Sequence, residues 1–592
     1  MSSLLASPRF VSAGGSDKSG NKIRIDVVNI GHQLRKDLIV EVFKTRMLSA
    51  HGSLMVLTML VAVITATTIR TSGVTANKRS AESVARFSVS SMFTSHLVLQ
   101  RNRRDAIWGW AKPGDQITIH FDGQTIVGHA RASGKWKMYL GPLVGSSLPR
   151  TMTLSDENNS IALHDVLIGE VWLCSGQSNM QYPLGGWFHR TNLATALAAA
   201  DHPTIRFYRV PRVESMFAGR PHLTTPARWQ RCTPKTAAGF SAVAYFFGNA
   251  LRKRLHVPIG LIEADWGGTS IEAWTPAVGF FKYSRLKREQ IWLRHAMAAE
   301  AALQRAGTPV NRTELVNAPN AYHYDFQSTW RPDPHQNPTT LFNGMINPLI
   351  PFSIRGVIWY QGENNVLSHD THYYAQLKAL ILGWRYVWHQ GDFPFYIVQI
   401  APFNYGQKWC GPNGTDARCE PLIWRAEEKA AAKLRQVGMI GTMDIGPGPR
   451  QIYDSNVNNI HPANKHAVGH RLAILALNHT YGLRNLPFSG PTFEAATFYR
   501  NRVIIHFLHV DGGLLSRNGK ALDWFEAAGA DGKFRPAKAS IAGHSVVVFP
   551  NVTGDPTGVR FGWSCVAIPN LANKAGLPAM PFEVLRRGDM QR

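Results

Sequence analysis

From about residue 85 to 165, apolar and polar positions alternate with a period of two. Ile117, Ile119 and Phe121 lead into Asp122-Gly123, a hairpin-turn dipeptide; Thr125 to Val127 continue beyond it, and Trp136, Met138 and Leu140 alternate again. This predicts a small antiparallel β domain over 85–165. From 166 to 485 the texture changes to continuous apolar runs: VLIGEVWLC, HVPIGLIEA, IRGVIWY, PFYIVQI and GMIGTMDI. Stretches of helical period, such as 373–384 and 463–477, separate them. Strands apolar on both faces and spaced by helices predict a parallel sheet in a three-layer α/β domain. Within it, 283–315 is rich in Ala, Arg and Glu and reads as an inserted helix or helical pair. Period two returns after 486 in VIIHFL (503–508) and HSVVVF (544–549), which predicts a second β domain over 486–592. No internal repeat is visible.

The first 84 residues follow neither pattern. Residues 1–46 are Ser/Gly-rich and basic, the composition of a disordered leader. LMVLTMLVAVITA (54–66) has the length of a signal-peptide apolar region rather than of a full membrane span. Val74-Thr75-Ala76 offers small residues for cleavage after it. Residues 47–76 therefore read as a signal peptide if translation starts at Met47, with an uncleaved single membrane anchor over 54–69 as the alternative if it starts at Met1. Sequons at Asn158, Asn311, Asn413, Asn478 and Asn551 favour a secretory route, as do Cys410 and Cys419, which bracket the turn-rich GPNGTDAR. The expectation is a secreted or lumenal protein, the lysosome included.

Composition narrows the class. Of 592 residues, 44% are hydrophobic and 17% charged, too apolar for a disordered, collagen-like or coiled-coil chain. No apolar run reaches the ~18 residues of a confident span, which excludes a polytopic membrane protein. The net charge is +25, of which +7 lies in residues 1–80 and +18 in the rest. Such a field draws anionic partners without choosing among nucleic acid, lipid head groups and acidic sugars. There is no lysine-rich tract and no RNP-like or zinc-finger spacing, so nucleic acid is not read as the partner. Five dispersed Cys make neither a disulfide scaffold nor a CxxC zinc site.

Ser178, in SGQSNM, directly follows the strand run GEVWLC. The C-terminal end of a strand is where α/β folds present reactive groups, although an isolated Ser there more often caps a helix. In NNIHPANKHAVGHRLA, Pro462 fits a first helical position and Val468, Leu472 and Leu475 form an apolar stripe. That predicts His461 at a helix N-terminus, where the dipole keeps imidazole neutral; an exposed or capping His fits equally. WGGTSIEAW (266–274) places Gly267 and Gly268 in a loop after a strand, and IRGVIWYQGENN (354–365) ends a strand in a dense polar cluster. Either is a site candidate or ordinary turn chemistry. His369-Asp370-Thr371-His372 reads as a capping segment rather than a metal cluster. Arg385 and Arg450 are candidates for a substrate carboxylate, with structural roles as the alternative.

In order, GQSNM, GLIEADWGGTSIEAW, NGMINPLIPFSIRGVIWYQGENN and IHPANKHAVGHRLA, with the tail NLANKAGLPAMPFEV, resemble the blocks of the sialate O-acetylesterases. These are carbohydrate esterases of SGNH type, also similar to acetylxylan esterases, and the resemblance spans about 90–592. It implies an SGNH-hydrolase-like α/β domain flanked by two β domains, with Ser178 as nucleophile and His461 as general base. It also implies an oxyanion hole of Ser178 N–H, Gly268 N–H and the Gln361 side chain or a neighbouring Asn. The wider SGNH pattern has an Asp three residues before the His, where this chain has Asn458; an amide cannot stabilise imidazolium with a full charge. Related esterases with a QGE block use the Glu, so Glu363 is the expected acid partner, with Asp444 and Asp454 in reserve. The implied substrate is an O-acetylated sialoglycan or another acetylated carbohydrate, and the implied mechanism needs no metal or cofactor. A catalytically silent glycan-binding protein is the rival from another class.

Overall fold

The computed structural model describes residues 12–16, 22–26, 86–186, 193–216, 227–305, 334–406, 420–445 and 459–586. The chain divides into two compact units, Met1–Val84 and Ala85–Arg592. In the first, Ser12–Ser16 pairs antiparallel with Lys22–Asp26. The expected signal or anchor segment lies outside the described residues. Among the described residues, no helix is long and apolar enough to cross a membrane.

In the second unit the chain opens on β strands. β1 (Gln116–Phe121) and β2 (Gln124–His129) form the hairpin that the alternation predicts. Asp122 and Gly123 take positive φ at its tip, matching the twist of the strands they join. β1 also pairs with β3 (Ser146–Ser155), and β3 with β4 (Ser160–Gly176), all antiparallel. β4 then continues, through register shifts between Leu163 and Ile168 and a positive φ at Asp165, into a second neighbourhood. The predicted boundary at 165/166 falls inside this one 17-residue strand.

The parallel sheet is built around the second half of β4. Its other members are β5 (His202–Arg209), the antiparallel edge strand β6 (Trp229–Cys232), β7 (Ile259–Asp265), β8 (Gly356–Tyr360), β9 (Phe395–Val398) and β10 (Val437–Ile440). Their spatial order is β6-β5-β7-β4-β8-β9-β10. β7, β8 and the second half of β4 are buried at every position, which is why their sequences are mostly apolar rather than alternating. Their charged exceptions are Glu170, Glu263 and Asp265, of which Glu170 accepts from Arg101 Nε at 2.5 Å and from Arg355 Nε at 2.6 Å. It thereby stitches the segment before β1 and the approach to β8 onto β4.

The strand order reverses direction at β4, with β7 on one side and β8 on the other. Such a switch point opens a crevice beyond the C-terminal strand ends. Among the helices are α1 (Ala242–Leu255), α2 (Lys287–Arg305), α3 (Tyr373–Trp388), α4 (Glu420–Lys433) and α5 (Lys465–His479). α2 falls in the predicted insert. α3 runs four residues past the periodic stretch and stops at His389, whose left-handed φ of 55° closes the C-terminus.

After residue 490, Thr492–Phe498, Val503–Leu508, Ser545–Phe549 and Lys538–Ala542 form one antiparallel sheet in that order. Phe534–Pro536, Phe525–Ala528, Gly558–Phe561 and Phe582–Leu585 form another. Their inward residues, among them Ile505, Val548, Phe525 and Phe561, share a core of their own.

Candidate active site

Ser178 opens a helical turn, Ser178–Gln181, directly after β4 at the switch point. The backbone swings from strand to turn at Gly176, whose φ is +143° and whose carbonyl accepts from Trp266 N–H at 3.1 Å. A Cβ there would sit 2.1 Å from the Tyr360 carbonyl oxygen, so only glycine lets β4 and β8 close up beneath Ser178. Gln177 N–H donates to that same oxygen at 3.0 Å, pinning the turn to the end of β8.

His461 reaches Ser178 from the far end of the sheet's sequence. Its Nε2 lies 2.8 Å from Ser178 Oγ across 283 residues of chain, and both side chains are half-buried. With Nε2 accepting, the hydroxyl donates to the imidazole, the geometry a proton transfer requires. The histidine is not on the helix. α5 starts at Lys465 and its cap is Asn464, whose Oδ1 accepts from Ala467 N–H at 3.1 Å. His461 and Pro462 therefore belong to the approach loop, and the predicted first-turn position is corrected by the stronger capping residue downstream. The loop is fixed locally by His461 N–H donating to Asn459 Oδ1 at 2.9 Å.

The Gly267-Gly268 loop lies alongside Ser178. Gly267 N–H donates to Gln181 Oε1 at 2.7 Å, and a Cβ on Gly267 would come 3.1 Å from Ser178 Cβ. Gly268 is exposed with φ +73°, and its carbonyl accepts from the Gln336 side chain. Gln361 is fully buried, and its amide nitrogen faces three acceptors: Asn365 Oδ1 at 2.7 Å, with Gln177 Oε1 and the Thr269 carbonyl at 3.1 Å each. Its Oε1 accepts from Tyr373 at 2.8 Å. With two hydrogens for three acceptors, Gln361 is committed to bracing the turn before Ser178 and the loop after Gly268. Asn365 is equally committed, through Glu272, Asp370 and Gln376. Asn364 sits nearer the surface, its N–H 3.3 Å from Gln177 Oε1.

Glu363 is buried, and one carboxylate oxygen accepts from Asn179 Nδ2 at 2.5 Å, while among the described residues the other has no partner in good hydrogen-bond geometry. Burial pushes its carboxyl above the ordinary range, opposed by the Asn179 bond and by the Lys465 ammonium. What it touches is Asn179, one residue after Ser178, rather than His461. Asp444 is clamped by Arg471 through two bonds of 2.7 and 2.6 Å. Asp454 and Asn458 lie outside the described residues, as do Arg450, Cys410 and Cys419. Arg385 is buried and donates to the Phe393 carbonyl at 2.7 and 3.2 Å, a structural role. Asp370 accepts from His372 N–H at 2.6 Å just ahead of α3.

Pattern reading missed Gln177, Gln181, Gln336, Asn179 and Lys465. Asn179 and Lys465 stand inside the motif blocks, but nothing in their spacing separates them from surface polar residues. Two buried acids on α4, Glu420 and Glu427, were missed as well. Burial holds both carboxyls well above the ordinary range.

A hydroxyl within hydrogen-bonding reach of an imidazole, at a sheet switch point and beside a glycine loop, can perform the chemistry of an ester hydrolase. The family model described as carbohydrate esterase, sialic acid-specific acetylesterase matches residues 168–303 and 325–473. The sialate O-acetylesterase of Homo sapiens is 28% identical over 449 residues, covering 72% of this chain and 76% of that protein. That of Pongo abelii is 27% identical over 530 residues, covering 84% and 92%. A carbohydrate acetylesterase from Xanthomonas citri, known from its crystal structure, is 32% identical with a TM-score of 0.69, covering 84% of this chain and 99% of that one. The chain belongs to the sialic acid-specific acetylesterase family of carbohydrate esterases.

Proposed function

We propose that this enzyme removes O-acetyl groups from sialic acids through an acyl-enzyme on Ser178, with His461 as general base. The carrying observation is the 2.8 Å contact between His461 Nε2 and Ser178 Oγ. His461 takes the hydroxyl proton as Ser178 attacks the acetyl carbonyl, and the proton passes to the departing sugar oxygen. Water then attacks the acetyl-enzyme with His461 again as base, releasing acetate and restoring the serine. The oxyanion would be met by the N–H groups of Ser178 and Gly268, with Gln361 as the brace behind them. Glu363 serves the pair through Asn179.

The strand order around β4 supports an SGNH-hydrolase-like, three-layer domain over 166–485 with β domains at 85–165 and 486–592. The expected route is secretory, the mature protein being secreted or lumenal. The relatives named above support sialic acid as the parent sugar, and the excess of Lys and Arg suits its carboxylate.

Acetate release from 9-O-acetylated sialic acid, measured against acetylated xylan, tests the assignment. Turnover of the sialoside that vanishes in Ser178→Ala is the expected result. An enzyme indifferent to the sialoside and active on xylan would make it an acetylxylan-type esterase. No turnover of either, with no Ser178 labelling by a fluorophosphonate, would leave the glycan-binding reading.

A further inference from the structure

We propose that Lys465 is a positioning residue for the Ser178–His461 pair, a buried ammonium that fixes the side-chain amide of Asn179 as a clasp between the two catalytic loops. The inference rests on the reading of Ser178 as nucleophile. Lys465 is fully buried at the start of α5, and its Nζ donates to Asn179 Oδ1. Nζ lies 5.1 Å from the centre of the Tyr182 ring and 5.4 Å from that of Tyr360, faces that favour a cation.

Asn179 is also fully buried and stands one residue after the nucleophile. Its Nδ2 donates to Glu363 Oε1 at 2.5 Å and to the Ile460 carbonyl at 2.9 Å, one residue before the base. One amide therefore holds the turn of Ser178, the loop of His461 and the carboxylate of Glu363 together. An asparagine amide is nearly symmetric in shape, so something must choose its orientation. Lys465 makes the choice. With Oδ1 on the ammonium, the NH2 group faces two acceptors. Flipped, the NH2 would face an ammonium, and Oδ1 would face a carboxylate and a carbonyl.

The charges close the same way. A buried ammonium is costly unless compensated, and Glu363 carries the opposite charge across the amide. Removing Lys465 would leave the Asn179 amide without its orienting partner and the two loops free to drift.

The purified full-length enzyme tests this with Lys465→Met, Lys465→Arg and Asn179→Ala, read as kcat and KM on an acetyl ester and as the rate of fluorophosphonate labelling. Active-site titration corrects each rate for folded enzyme. The expected result for Lys465→Met is a loss of kcat and labelling of about 10- to 100-fold with KM held within about twofold, because a displaced nucleophile costs rate rather than binding. Lys465→Arg should recover part of it, and Lys465→Met should add little to Asn179→Ala. Titrated kcat within about twofold of wild type, or losses that multiply in the double variant, would overturn the proposal.

If Lys465→Met fails to fold, the charge-balanced Lys465→Met/Glu363→Gln is compared with Glu363→Gln alone. A further loss of about tenfold supports the clasp, and equal kcat overturns it. Labelling of the wild type at a residue other than Ser178 would instead overturn the site reading beneath.

Discussion

Glu427 is the place where the physics of this fold can be tested most directly. Its carboxylate is fully buried on α4, and among the described residues neither oxygen has a partner in good hydrogen-bond geometry, the Ile400 N–H being the backbone donor that acts on it. Burial drives its carboxyl well above the ordinary range, the charge of Glu363 adds to the rise, and the Ile400 backbone N–H opposes it only in part. Glu427→Gln keeps the shape and removes the option of a charge.

The sign follows from proton counting. An unfolded glutamate titrates near ~4.3, and the folded group above that. Between the two values the folded protein holds a proton that the unfolded chain has lost, so stability falls as pH rises through that window and levels off beyond it. Below the window both forms are protonated and the group contributes nothing. The glutamine variant has no such slope. It should match wild type near pH ~4 and exceed it near pH ~7.5 by about 1–3 kcal/mol, the usual cost of an unsatisfied buried polar group.

For a unit of this size that is a rise in Tm of roughly 1–3 °C. Thermal unfolding followed by circular dichroism at the two pH values measures it. A variant less stable than wild type at the higher pH, or a gap of equal size at both, would refute the reasoning by showing that the carboxylate is paired or hydrated.

Three more outcomes follow from the same structure. His461→Ala should lower kcat/KM by about 10²–10⁴-fold and abolish fluorophosphonate labelling of Ser178, and retained labelling would remove His461 from the base role. Gly176→Ala should destabilise the fold by about 3 kcal/mol or more, since the new Cβ would stand 2.1 Å from the Tyr360 carbonyl oxygen at a φ of +143°; denaturant unfolding with an unchanged midpoint would contradict it. If the chain passes through a glycosylating compartment, mass spectrometry should find glycans at the exposed Asn158 and Asn551 and none at Asn478. That side chain is buried and donates to the carbonyls of Arg484 and Leu486, so occupancy there would contradict the burial.

What the sequence revealed, it revealed through periodicity and turn chemistry. The hairpin at Asp122-Gly123, the wholly buried strands and the tail's alternating VIIHFL all follow from local pattern. Ser178 and His461 were legible because each sits in a block whose neighbours have their own local logic. The relation between blocks is what a linear reading misplaces. His461 was put on a helix because Pro462 fits a first turn, yet Asn464 captures the cap three residues later. Gln361 and Asp444 have the right chemistry for the site, and only their partners, three acceptors and one arginine, show where that chemistry is spent. Lys465 lies beyond any pattern, because a lysine in a helical stretch reads as surface until its burial is seen.

β4 has one more implication, for how this enzyme can be taken apart. The same strand that is hydrogen-bonded to β3 in its first half leads into Ser178 at its end. A truncation beginning at 166 would cut through the middle of a ladder and strip the Arg101 ion pair from Glu170. The front sheet therefore cannot be cut away at 166 without cost to the strand that ends beside Ser178.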